Sequence, residues 1–271
     1  MIMKRIGLIG CGTIGTVVAK ALASKEYCNV EVGYLCDVDK ALAEKLNRLY
    51  HLNAAIVTKD ELVEKSDLVV EAASGLVAED IAIKCLQADT DVLIVSIGGL
   101  IKPFQKIKKL LQKTNATLYL PSGAICGVDG LLGAARREIR EVMLTTRKPL
   151  KGLVGAPYFD EKGIDLESIT SETVIFEGTA EQAIHYFPKN INVAALLSIA
   201  GLGVKKTQVR IMTSPSYTLN SHEIVVKGDF GTMTTKTENV PSPSNPKTSY
   251  LAALSVEATL EKIFSPIKIG T

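Results

Sequence analysis

A chain that runs from a short apolar stretch straight into Gly10-Cys11-Gly12-Thr13-Ile14-Gly15 has few folds open to it. Lys4 to Ile9 reads as a buried strand, and Val17, Val18, Ala21 and Leu22 then recur at helical spacing. Strand, glycine turn and helix in that order form the dinucleotide-binding fingerprint. Gly10 permits the tight turn, Gly12 lets the backbone approach a pyrophosphate, and Gly15 brings the helix close to the strand. The amides at the helix start, Thr13 and Ile14 among them, hold phosphates together with the positive end of the macrodipole. A second apolar run, Val30 to Cys36, ends in Asp37, where an acid meets a ribose 2′-hydroxyl. A structural glycine turn followed by a surface aspartate is the competing reading.

The alternation continues to about residue 120. Asp39 can cap a helix through Leu49, and Ala55 to Val57 is a short strand. Thr58-Lys59-Asp60-Glu61 has the form of a capping box. Leu68 to Glu71 and Asp91 to Ser96 read as the fourth and fifth strands, with a helix from Val77 to Leu86 between them. Pro103 suits the first turn of a helix to about Lys113, and Thr117 to Leu120 is a sixth strand. This rhythm predicts a doubly wound parallel α/β sheet of the Rossmann type. Ligands bind such sheets at the strands' carboxyl ends. Two loops of small residues lie there, one around Ala73 and one beginning at Ser96. Both also fit as plain tight turns.

Residues 1–122 are therefore expected to form the dinucleotide domain, and 123–239 a smaller α+β domain with an open mixed sheet. Val128 to Arg136 reads as a helix and Val142 to Thr146 as a strand. Arg147 and Lys148 then lead through Pro149 into a long loop, to about Glu172. Thr173 to Phe176 is a strand, Thr179 to Gln182 a second capping box, and Val193 to Ala200 a helix capped by Asn190 or Asn192. Gln208 to Thr213, Ser221 to Lys227 and Thr232 to Thr237 are β-rich, the last two joined as a hairpin around Gly228 to Gly231. Residues 240–271 begin with an extended Pro241-Ser242-Pro243 linker. They end in a helix capped at Asn245, with Pro246 first, that packs on the dinucleotide domain through Tyr250, Leu254 and Leu260.

Charge argues against a polyanionic partner: the net charge is +2, and Lys106, Lys108 and Lys109 look like one solvated helix face, so no nucleic acid is expected. No apolar run reaches the length of a membrane span, and no signal peptide is expected. Cys11, Cys28, Cys36, Cys85 and Cys126 are odd in number and lack CxxC spacing. They read as small hydrophobes in a reducing cytoplasm, not as a zinc or other metal site.

Hydride chemistry needs a proton acceptor, and histidine titrates near neutrality. His51 follows a helix end and reads as a surface residue, and His185, beside Tyr186 and Phe187, reads as packing. His222 opens a strand of the second domain, and a period of two sets it on one face with Ile224 and Val226. A structural and a catalytic histidine fit that position equally.

Several stretches together resemble the L-aspartate dehydrogenase family. They are the glycine fingerprint, Pro121 to Ile125, Phe187 to Ala195, Asn220-Ser221-His222, and Glu238 to Ser249. The resemblance implies a homodimer that oxidatively deaminates L-aspartate with NAD or NADP. It implies iminoaspartate as the product, which hydrolyses to oxaloacetate and ammonia or feeds quinolinate and NAD synthesis. It implies His222 as the active-site histidine and Ala124 and Asn192 as dinucleotide contacts. Asp37 favours NAD, whereas members of the family often take both cofactors. The substrate's two carboxylates need cationic or N–H partners. Lys189 and the expected helix start, with Asn245, Lys247, Thr248 and Ser249, offer them. For both lysines a solvated surface charge is the competing reading. Two other functions stay open at this point. One is a related oxidoreductase of dihydrodipicolinate-reductase or homoserine-dehydrogenase type, the former disfavoured by the lack of adjacent histidines. The other is a non-catalytic NAD(H)-sensing protein.

Overall fold

The computed structural model describes residues 3–24, 29–188, 191–243 and 245–270, with the backbone alone for 245–247. The chain divides into two compact units: Met1–Pro121 with Ala253–Lys268, and Ser122–Ala252 with Ile269–Thr271.

The first unit contains β1 (Lys4–Ile9), α1 (Thr13–Ala23), β2 (Val30–Cys36), α2 (Lys40–Tyr50), β3 (Ala55–Ile56), α3 (Lys59–Lys65), β4 (Leu68–Glu71), α4 (Gly75–Gln87), β5 (Asp91–Ile94), α5 (Phe104–Leu111) and β6 (Leu118–Tyr119). The sheet runs β3-β2-β1-β4-β5-β6, parallel throughout, and the strand order reverses beside β1. This is the expected doubly wound sheet. Its strands are buried on both sides, because helices cover both faces. Ile6 and Leu8 of β1, Val70 and Leu93 pack with Val18 and Leu22 of α1 in one core. Ile9, Val69, Val92 and Ile94 face the other way, onto Leu62 of α3 and Ile81 and Cys85 of α4. Asp39 caps α2 through the Ala41 amide, and Thr58 and Glu61 complete the capping box of α3.

The second unit holds α6 (Val128–Ala134), β7 (Ile139–Pro149), α7 (Pro157–Lys162), β8 (Thr173–Thr179), α8 (Ala180–Tyr186), α9 (Asn192–Ala200), β9 (Gln208–Ser214), β10 (Asn220–Gly228), β11 (Gly231–Asn239), β12 (Pro241–Ser242) and β13 (Asn245–Ser249). Its sheet runs β11-β10-β7-β9-β8, with β7 and β9 parallel and the other pairs antiparallel. It is the mixed sheet expected. Val142, Leu144, Val209, Ile224 and Val226 are buried on one face. The chain ends in α10 (Tyr250–Phe264), whose Val256 and Leu260 join the β1 core of the first unit.

Several local expectations fail for identifiable reasons. β7 extends through Arg147, Lys148 and Pro149, because β9 pairs with it to that end. The stretch to Glu172 is no structureless loop, since it holds α7, two short 3-10 turns and the buried Phe159. Asn245 and Pro246 do not start a helix: pairing with β12 draws Asn245–Ser249 into a strand, so Pro241-Ser242 is half of a hairpin rather than a linker. In α10 the buried positions are Ala253, Ser255, Val256 and Leu260, and Leu254 is exposed. His185 is exposed: its ring meets Tyr186 edge-on at 5.0 Å between centroids and lies 3.8 Å from Glu161, but it is not in the core. Asn192 is the first residue of α9, the cap position being Ile191; the alternative cap Asn190 lies outside the described residues.

Gly10 has φ +92°, and a Cβ placed on Gly15 would lie 2.0 Å from the Gly10 carbonyl oxygen. That clash is with backbone, so no side-chain rotation relieves it. Gly15→Ala should cost about 2–3 kcal/mol, the scale of an overpacked core. A thermal melt of the apo protein should then fall by at least ~4 °C.

Candidate active site

In the first unit the glycine turn has the form that a phosphate requires. An added Cβ on Gly12 meets nothing within 4 Å, so the backbone there is open, at the start of α1 and its N–H groups from Thr13 and Ile14. Asp37 sits at the end of β2 and braces the turn. Its Oδ2 accepts the Cys11 amide at 2.6 Å and its Oδ1 the Asp39 amide at 2.8 Å. Each carboxylate oxygen retains a further lone pair for a ribose hydroxyl. The Cys11 thiol is pushed up to about 12, first by burial and then by Asp37, so it packs and does not react.

The two small-residue loops at the ends of β4 and β5 are tied together by Glu71, which sequence reasoning passed over. Glu71 is completely buried. Its Oε1 accepts the Ala73 amide at 2.9 Å and the Ser96 hydroxyl at 3.0 Å, and its Oε2 accepts the Ser96 amide at 3.0 Å. Burial raises its carboxyl above the usual range, and the hydrogen bonds from Ser96 and Ala73 pull it back. Ala73 and Ser96, read as cofactor-loop residues, thus share one buried acceptor. A glutamate closing an otherwise apolar Leu-Val-Val strand was the available signal.

In the second unit, His222 lies near the start of β10 and is buried. It pairs in register with Thr146 of β7 and Thr237 of β11. Its Nδ1 lies 3.1 Å from Thr146 Oγ1. Burial lowers its pKa to about 3, and the charge of Lys148 adds to the shift. The imidazole is therefore neutral at neutral pH. Lys148, two residues beyond Thr146 on the same face, is itself lowered to about 8 by burial. It lines a cavity of about 560 Å³ together with Asn220, Asn239, Thr218 and Lys151. Lys148 was missed because two consecutive basic residues before a proline look like the start of a loop.

Ala124 is held by the same sheet. Its carbonyl accepts from Thr237 Oγ1 at 2.9 Å and Asn239 Nδ2 at 3.0 Å. Of the expected substrate contacts, Lys189 lies outside the described residues, as do the side chains of Asn245 and Lys247. Thr248 and Ser249 stand in β13 and offer no helix N-terminus. The Ser249 hydroxyl is buried without a hydrogen-bond partner among the described residues. Among those residues no group of three or more His, Cys, Asp or Glu is placed to hold a metal ion. No described helix is long and apolar enough to cross a membrane.

Known proteins align with the whole of this arrangement. Residues 10–121 match a model described as homoserine dehydrogenase, NAD binding domain, and residues 129–263 one described as aspartate dehydrogenase, C-terminal. A curated L-aspartate dehydrogenase of Methanosarcina mazei is 46% identical, over 99% of this chain and 100% of its own length. The chain belongs to the L-aspartate dehydrogenase family. A member from Nitrosopumilus maritimus is 41% identical at the same coverage. A crystal structure of aspartate dehydrogenase from Thermotoga maritima has the same fold, with a TM-score of 0.76 over 98% of this chain and 99% of that one, at 24% identity.

The neutral imidazole carries a pH signature. An unfolded histidine titrates near 6.5, so between that value and about 3 the unfolded chain binds a proton that the folded chain refuses. This contribution to stability is full above pH 6.5 and is lost as pH falls. In urea unfolding, the stability of wild type relative to His222→Gln should drop by roughly 2 kcal/mol between pH 7 and pH 5. A pH-independent difference would mean that His222 titrates in the fold as it does in the unfolded chain.

Proposed function

We propose that this chain is an NAD(P)-dependent L-aspartate dehydrogenase. It removes hydride from Cα of L-aspartate and gives iminoaspartate, which hydrolyses to oxaloacetate and ammonia or supplies quinolinate and so NAD synthesis. The observation that carries this reading is the family match along the full length of both units, at 41–46% identity to curated relatives.

We further assign the parts. Residues 1–122 hold the dinucleotide and 123–239 supply the catalytic side chains. The amides of Thr13 and Ile14 bind the pyrophosphate past Gly10, Gly12 and Gly15, and Asp37 binds the adenosine ribose. Ala73 and Ser96 are assigned to the nicotinamide ribose, and Ala124 and Asn192 to dinucleotide contacts. When bound, the nicotinamide supplies the hydride acceptor. His222 works as the base in the tautomer that carries its proton on Nδ1: that N–H donates to Thr146 Oγ1, 3.1 Å away, and the Nε2 lone pair is left to take a proton from the substrate's ammonium. With the amine nitrogen neutral, its lone pair can form the C=N bond as hydride departs. His222 then holds a proton that it can return to the nitrogen as water adds to the imine carbon and ammonia leaves. Burial keeps the imidazole unprotonated, and the carboxylates of a bound aspartate, by placing negative charge beside it, raise its affinity for a proton. A homodimer in the cytoplasm is part of the same proposal. The sheet face opposite His222, with Met143 and Val225 only half-buried, is its proposed contact.

Steady-state NADH formation from each amino acid, with NAD and with NADP, tests the reading: L-aspartate should be the preferred substrate. His222→Ala should lower kcat about 10²–10⁴-fold while NADH affinity is retained. Full turnover in that variant would remove the base. Asp37→Ala should shift the ratio of kcat/KM values toward NADP, since it removes the charge facing a 2′-phosphate. An unchanged ratio would take Asp37 out of the ribose site.

A further inference from the structure

We propose that the cavity at the end of β7 is the subsite for the substrate's side-chain carboxylate, and that Lys148 is the cation that reads it. The proposal rests on the aspartate reading above and adds to it a residue that sets specificity.

Three observations converge on Lys148. The first is register. Thr146 and Lys148 alternate on one face of β7, as do Asn220 and His222 on β10, and Thr146 is paired with His222. The lysine row is therefore one step along from the histidine row, about 7 Å. A ligand bridging the two rows needs a hydrogen bond of ~2.9 Å at each end and a short carbon chain between. Aspartate has that form: its amine sits on Cα, and its second carboxylate lies two carbon bonds beyond.

The second observation is the shape and charge of the space. The cavity of about 560 Å³ is lined by Lys148 and Lys151 and by no acid among the described residues. Gly152 crosses over the lysine. A Cβ there would lie 3.8 Å from Lys148 Cβ and 4.0 Å from Asn220 Oδ1, so the turn after β7 packs against both side chains. The third observation is the set of polar neighbours. The amide nitrogen of Asn239 is already committed to the Ala124 carbonyl and to Thr237 Oγ1. Lys148, Lys151, Thr218 and Asn220 add the other side-chain N–H and O–H groups that line the cavity. Holding an ammonium in this setting is costly, as its lowered pKa records, and a bound carboxylate offsets that cost.

The test uses the full chain and compares wild type with Lys148→Met, which keeps the volume and removes the charge. Lys148→Met should raise the KM for L-aspartate about 10–100-fold, the scale of one charge-assisted hydrogen bond. The kcat/KM preference for L-aspartate over L-alanine should fall by the same factor, with NADH affinity unchanged. An unchanged aspartate KM, an equal loss on both amino acids or a loss of NADH affinity would overturn the assignment. Should Lys148→Met fail to fold, Lys148→Gln replaces it, with a thermal melt as control. Calorimetry with succinate and saturating NAD separates this proposal from the function it rests on. If wild type does not oxidise L-aspartate, the functional reading fails, yet succinate binding that disappears in the variant leaves the anion subsite standing. No succinate binding by wild type, or equal binding by both proteins, overturns the subsite.

Discussion

The contact between Gly15 and the carbonyl of Gly10 is the constraint from which the first unit is built. With no Cβ in the way, the first turn of α1 settles onto the backbone that leaves β1. The helix axis then points its free amides over the end of the strand. Everything downstream follows that placement: α1 covers one face of the sheet through Val18 and Leu22, the strand order reverses beside β1, and Asp37 reaches back from β2 to brace Cys11. Those glycines, with the strand before them and the helix after, are what let the fold be read from the sequence.

The second unit solves a different problem, which is to keep ionisable groups inside a sheet. His222 occupies a position whose neighbours along the strand, Ile224 and Val226, are core residues. It stays there uncharged, with Thr146 as its hydrogen-bond partner. Lys148 is close enough to oppose its protonation. A site built this way keeps its histidine unprotonated until a ligand arrives with negative charge.

Much of the fold was legible because its signals are local. The strands of the first unit show as apolar runs, and both threonine capping boxes show as four-residue patterns. What was not legible depends on partners distant in sequence. Nothing near Arg147-Lys148 says that β9 will pair with them and extend β7 to Pro149. Asn245-Pro246 carries every local mark of a helix start, but the pairing of β12 with β13 outweighs those marks. Glu71 was hidden for a related reason. Its donors come from Ala73, Ser74 and Ser96, and Ser96 lies 25 residues away in the chain. Of the candidate site, the glycine turn and Asp37 could be found by spacing and His222 by the family resemblance, whereas Lys148 and Glu71 needed the tertiary neighbourhood.

Asn239 is shared between two structures. With one nitrogen it holds the peptide at Ala124, and with its body it walls the space beside Lys148. The two cannot shift separately, since moving the wall pulls on the peptide. Whatever fills that space therefore also tenses or relaxes the stretch Ser122 to Cys126, and a probe placed on that stretch would feel the filling.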